Sequence, residues 1–174
     1  MGVKFRPGGF HPFRPQALSK ITGKALTLLE AFGREREGLE SEVLACGWNE
    51  FAAVSRAEAF LLSRLPDRDP YAERARQAVE FIRDHPEVLR VEEAAYMAGL
   101  GVRALQRLFS EYVGVSPKWV IQRYRLHEAM ASLEEGESMD FPALALQLGY
   151  FDQAHFIKDF KLLLGRTPAT YLKG

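Results

Sequence analysis

With 174 residues, 47% of them hydrophobic and 26% charged, the chain can bury one ordinary core or two small ones, which excludes collagenous, fibrous and disordered classes. Lysine plus arginine and aspartate plus glutamate each number 23, so the zero net charge by itself points to neither nucleic acid nor a membrane surface. The single cysteine, Cys46, excludes an internal disulfide and a multi-thiolate zinc site. No apolar run approaches the ~18 to 20 residues of a membrane helix, and the start, MGVKFRPGGFHPFRP, lacks the apolar stretch of a secretory signal; the expectation is a cytosolic protein with no membrane partner.

In chain order, Phe5 to Pro15 is rich in Gly and Pro and reads as an irregular arm or the end of a strand, not a helix. Between Leu18 and Leu65 the apolar residues come in clumps (Leu26, Leu28, Leu29 and Phe32; Leu39, Val43 and Leu44; Phe60, Leu61 and Leu65) that predict short helices. The stretch LPDRDPY, Leu65 to Tyr71, favours turn geometry and marks the main boundary, dividing an N-terminal segment (1–66) from a second domain (71–174). Ala72, Ala75, Val79 and Ile82 then predict a helix ended by His85-Pro86.

From there the pattern is wholly helical. Val91, Ala94, Ala95 and Ala98 keep helical spacing, Gly99 interrupts, and Leu105, Leu108, Phe109 and Tyr112 resume it. Phe141, Leu144, Ala145 and Leu148, then Gly149, then Phe156, Phe160 and Leu163 repeat that order. The first helices and glycines match at an offset of 50 (Val91 with Phe141, Ala95 with Ala145, Gly99 with Gly149). The second helices match at 51 (Leu105 with Phe156, Phe109 with Phe160, Gly114 with Gly165, Pro117 with Pro168), so the second turn holds one extra residue. Gly-x-[Ser/Thr]-Pro closes both copies: Gly suits a left-handed helix end, Ser116 or Thr167 can cap the next helix, and Pro fits its first turn. The expected fold is all-α, with helix-turn-helix units at 91–113 and 141–164 joined by a linker helix at 117–135 and preceded by a small, mainly helical segment.

With its apolar stripe inward, the second helix of the first unit turns out Arg103, Gln106, Arg107 and Ser110 at i, i+3, i+4, i+7. Arg can donate bidentately to guanine and Gln can pair with adenine, so Arg103, Gln106 and Arg107 are candidate base readers and Ser110 a candidate phosphate contact; a solvated face would carry the same stripe. In the second unit Gln153, Ala154, His155 and Lys158 are the candidate readers and Lys161 and Arg166 candidate phosphate contacts, a capping or plain surface role for His155 being the competing reading. Residues 101 to 127 carry Arg103, Arg107, Lys118, Arg123 and Arg125 against Glu111 alone, which makes Lys118, Arg123 and Arg125 candidate phosphate clamps. The pattern Trp119, Leu126, Ala129, Met130 and Leu133 runs to Gly136, with Trp119 read as a core anchor, and predicts a strut roughly 28 Å long. Such a strut could hold two helices near the ~34 Å repeat of B-DNA.

These residues resemble the C-terminal DNA-binding domain of the AraC/XylS family of bacterial transcription regulators. The motif lies in ALQLGYFDQAHFIKDFKLLLGRTPATY: Ala145, Gly149 and Tyr150, then Phe156, Phe160 and Lys161, then Gly165, Thr167, Pro168 and Tyr171. The similarity extends back through LQRLF at 105–109 and covers about residues 72–173. The resemblance implies seven helices in that domain, base readout by both recognition helices, double-stranded DNA as partner, and promoter control through RNA polymerase. Ala154 departs from the larger polar residue often found at its position. The segment VKFRPGGF, Val3 to Phe10, resembles the tail of a sensor domain whose β-rich front half is absent, so the expectation is a truncated regulator, a fragment or a short relative without effector control. Gly8 and Gly9 read as a turn, since no Lys-[Ser/Thr] pair follows them. His11 and Cys46 have no evident catalytic partner; no catalytic, cofactor or metal set is expected, and the residues identify no effector. Two other functions fit the same chain: an interaction module in which residues 17 to 65 pair with a full-length regulator, and a redox or alkylation sensor working through Cys46.

Overall fold

The computed structural model describes residues 2–33, 38–134 and 140–171, and all regular structure among them is helical. Two 3-10 turns, η1 (His11–Phe13) and η2 (Leu18–Lys20), precede α1 (Leu28–Phe32), α2 (Leu39–Ala45) and α3 (Glu50–Ser63). Among the described residues seven further helices follow: α4 (Pro70–Asp84), α5 (Val91–Met97), α6 (Val102–Tyr112), α7 (Pro117–Glu134), α8 (Phe141–Gln147), α9 (Gln153–Leu164) and α10 (Pro168–Tyr171). The expected end of the linker helix at residues 135 and 136, and the side chains of Ala129, Leu133 and Leu163, lie outside the described residues. Contacts group the chain into two compact units: residues up to Gln77 with Gln106–Val115, and Ala78–Leu105 with Ser116 onward.

In the first unit the arm is irregular, as its Gly and Pro content predicts, and η1 is its regular part. Gly8 sits at φ 77°, and a Cβ there would come within 2.5 Å of the Ala72 carbonyl oxygen, so only glycine allows the backbone this close. Phe5, Phe10, Phe32 and Phe60 form a chain of ring contacts, with centroids 5.1 Å apart for Phe5–Phe10, 5.9 Å for Phe10–Phe32 and 5.4 Å for Phe32–Phe60. α1 begins with a reciprocal cap, Thr27 Oγ1 accepting from the Glu30 amide and Glu30 accepting from the Thr27 amide. Cys46 ends α2, its thiol against the Glu42 carbonyl at 3.2 Å. Asn49 caps α3, which is one helix of 14 residues packed on α2 and burying Ala53 and Ala57.

This unit also contains most of α6, gripped by residues 11–22. The His11 ring is buried, its Nε2 is 3.2 Å from Glu111, and it packs at a tilt of 43° against the Tyr112 ring with centroids 4.0 Å apart. Thr22 Oγ1 donates to the Gly114 carbonyl at 2.6 Å, and Ser110 Oγ donates to Ser19 Oγ at 2.9 Å. Tyr112 is pushed up to about 12 by burial and by its hydrogen bond to Asp69.

In the second unit the core of the C-terminal repeat joins Leu126 and Met130 of α7 to Phe141, Leu144, Ala145 and Leu148, and to Phe156 and Phe160 of α9. Phe160 packs edge-on against Phe141 at 5.4 Å and against Tyr171 at 5.9 Å. α7 also packs on α5, so this one helix carries the first half of one repeat and the whole of the other. Its 18 residues give it a length of about 27 Å.

Candidate nucleic-acid interface

The two repeats close their first helices with the same bonds. After α5, the Gly99 amide donates to the Tyr96 carbonyl (3.0 Å) and the Leu100 amide to the Ala95 carbonyl (2.9 Å). After α8, the Gly149 amide donates to Leu146 (3.0 Å) and the Tyr150 amide to Ala145 (3.0 Å), each atom displaced by 50 residues. Both glycines are left-handed, at φ 63° and 71°, which turns the chain sharply without a Cβ penalty. Residues 98–101 separate α5 from α6 and residues 148–152 separate α8 from α9, so the extra residue sits where the offset arithmetic puts it. The helices after the repeats also start alike: Ser116 Oγ accepts from the Trp119 amide, Thr167 Oγ1 from the Thr170 amide, and Pro117 and Pro168 are buried at the first helical position.

On α6, Leu105, Leu108 and Phe109 are buried and Tyr112 is half-buried, leaving Arg103, Gln106, Arg107 and Ser110 exposed on the opposite stripe. Among the described residues the side chains of Arg103, Gln106 and Arg107 have no hydrogen-bond or ion-pair partner, so their donors are free for an external acceptor. On α9, Phe156 and Phe160 face the core while Gln153, Ala154, His155, Ile157, Lys158 and Lys161 are exposed, as is Arg166 beyond the helix. His155 is part of the cap: its amide donates to Asp152 Oδ1 at 2.8 Å, and its Nδ1 meets Asp152 Oδ2 at 2.6 Å. Those two contacts, the backbone one foremost, hold the Asp152 carboxyl below its ordinary range, and the His155 side chain is otherwise exposed. Asp152 and Gln122 are structural supports that apolar periodicity cannot reveal, since both act through side-chain hydrogen bonds, two for Asp152 and one for Gln122. The sequence signal for Asp152 was an acid directly before a helical stripe. Tyr150 is shifted upward by burial and by Asp159.

The basic residues of the linker sort into three kinds. Lys118 is exposed, and its Nζ donates to the Gly149 carbonyl at 3.4 Å, beside the turn of the second repeat. Arg123 is half-buried, with its guanidinium 5.3 Å from the centre of the Trp119 ring; Trp119 is itself half-buried and serves as a shelf for that cation, a different role from the expected core anchor. Arg125 corrects the sequence reading: it is 5% exposed and donates to the Ile82 carbonyl and to Glu128, so no phosphate can reach it. Its charge counted toward the local excess, but the helix face it occupies points into the protein. Gln122, 9% exposed, donates through Nε2 to the Leu148 carbonyl at 3.2 Å and ties α7 to the second turn.

Among the described residues no helix is long and apolar enough to cross a membrane. A family profile described as a helix-turn-helix domain matches residues 94–174. The chain is 32% identical over 85 residues to the probable transcription factor PqrA of Proteus vulgaris, covering 49% of this chain and 69% of that one. It is 29% identical over 159 residues to the HTH-type transcriptional regulator GlxA of Rhizobium meliloti, covering 83% of this chain and 45% of that protein. It is 28% identical over 140 residues to the arabinose operon regulatory protein of Escherichia coli, covering 79% and 47%. The chain thus spans less than half the length of the last two relatives. No solved structure matches it. The repeated turn, the shared capping pattern and these similarities together establish that the chain belongs to the AraC/XylS family of helix-turn-helix transcriptional regulators.

Proposed function

We propose that the chain is a sequence-specific, double-stranded-DNA-binding regulator acting in the cytoplasm, in which α6 and α9 enter successive major grooves. The observation that carries this reading is the stripe Arg103, Gln106 and Arg107, exposed and without partners among the described residues, on the second helix of a helix-turn-helix. Unpaired guanidinium and amide donors on that helix match the acceptor pattern of base edges in the major groove. On α9, Gln153, Ala154, His155 and Lys158 are the proposed readers, with the Ala154 methyl suited to a thymine methyl. Lys118, Arg123, Lys161 and Arg166 are the proposed phosphate contacts, whereas Ser110, expected from the sequence to be one, spends its single hydroxyl proton on Ser19. RNA polymerase is the proposed protein partner, on family grounds, and the role is non-enzymatic. An interaction module is not favoured, because the relatives are named as transcription factors or regulators.

Selection of bound duplexes from a random pool tests the reading. Enrichment of a motif with two separated blocks is expected, and an unenriched pool overturns it.

A further inference from the structure

From the arm's charge and its attachment to α6, we infer that the segment around η2, through Lys20 and Lys24, is a third DNA-backbone contact, gripping phosphates that flank the site read by α6. The inference rests on the DNA-binding reading above. Residues 1 to 29 contain Lys4, Arg6, Arg14, Lys20 and Lys24 and no acid, a local excess of five positive charges in a chain of zero net charge. This segment lies outside the part matched to the helix-turn-helix profile.

Its position is fixed by contacts with α6. Ser19, within η2, bonds to Ser110, the last residue of the α6 stripe, one turn beyond Gln106 and Arg107. Thr22 bonds to the Gly114 carbonyl just past the helix, and His11 anchors the start of the segment at Glu111. The geometry therefore places Lys20, next to Ser19, and Lys24, two residues beyond Thr22, beside the end of the exposed stripe. Both lysines are exposed, and among the described residues neither has a hydrogen-bond or ion-pair partner. Arg14, by contrast, is committed to Gln16 and to the Glu30 carbonyl, so the segment's charge is not uniformly available. When the stripe faces base edges, backbone phosphates run along its borders, and unpaired ammonium groups at that border release counterions on binding. Lysine suits this task, because it acts as a point charge and reads no sequence.

The test is a salt titration of the full chain on its selected duplex and on unrelated duplexes, comparing wild type with Lys20→Gln/Lys24→Gln and Lys20→Arg/Lys24→Arg. The expected result is a slope of log affinity against log salt reduced by about two in the glutamine variant, with the preference between duplexes retained and the slope restored by arginine. An unchanged slope in the glutamine variant overturns the inference and leaves the DNA-binding reading standing. A gain in affinity also overturns it, since the segment would then shield α6 instead of extending it. Absence of salt-dependent binding by the wild-type chain overturns both.

Discussion

Gln122 and Leu148 meet across 26 residues of sequence, the side-chain amide of one donating to the main-chain carbonyl of the other in a buried setting. Through this bond α7 holds the turn that aims α9. Gln122→Leu keeps the volume and strands the carbonyl, so a loss of about 1 to 3 kcal/mol is expected. Urea denaturation should show a lower midpoint at unchanged slope. An unchanged midpoint means that the bond contributes nothing.

Arg125 and Arg123 are two residues apart and should behave oppositely. Removing Arg125 leaves the Ile82 carbonyl and Glu128 without their donor, and Arg125→Ala is expected to cost about 1 to 3 kcal/mol, the half-exposed Glu128 keeping this below the cost of breaking a fully buried pair. At a temperature where that variant is folded, its salt slope for DNA should match wild type. Arg123→Ala should leave stability within about 0.5 to 1 kcal/mol and lower the slope by about one.

On α6 and α9 the distinction is between reading and docking. Arg107→Ala should cost about 1 to 3 kcal/mol and relax preference at one base position, measured by competition among single-base duplex variants. Lys161→Ala should weaken all duplexes alike.

Gly114 and Gly165 are equivalent in the repeat, with φ 88° and 75°, yet their surroundings differ. A Cβ at Gly114 would lie 2.8 Å from Thr22 Oγ1 and 3.2 Å from Leu18, whereas nothing lies within 4 Å at Gly165. Gly165→Ala should cost about 1 to 2 kcal/mol, the left-handed penalty alone. Gly114→Ala should cost more, because the segment that clasps α6 must also shift. Equal losses in thermal melts would show that the clasp is absent in solution.

Asp152 links α9 to pH. Its carboxyl is depressed in the folded state, so its contribution is fully present above the unfolded carboxylate value and is lost as pH falls through the lower folded value. Asp152→Asn keeps a capping oxygen but not the charge, and its melting temperature should fall less steeply than wild type in that acid window. Parallel curves would contradict the assignment.

Much of this architecture was legible in the residues because the repeat is written twice. Gly99 and Gly149 mark equivalent turns, and the 50-to-51 change in offset located the extra residue before α9. Arg125 was illegible for a definable reason: α7 is covered on several sides, burying Val120, Ile121, Leu126 and Met130, so no single stripe tells inside from outside. The grip of the arm on α6 joins residues about 90 to 100 apart through polar contacts, which leave no periodic trace. Its charge was visible, but the N-terminal excess is cancelled in the whole-chain sum by acids elsewhere.

Hydroxyl-radical footprinting of the full chain on a selected duplex most directly tests the claim that α6 and α9 read one site together. Two protected windows, centred about 10 to 10.5 base pairs apart, are expected, with Arg107→Ala weakening one window before the other. A single short window, or protection spread evenly along the duplex, would contradict it.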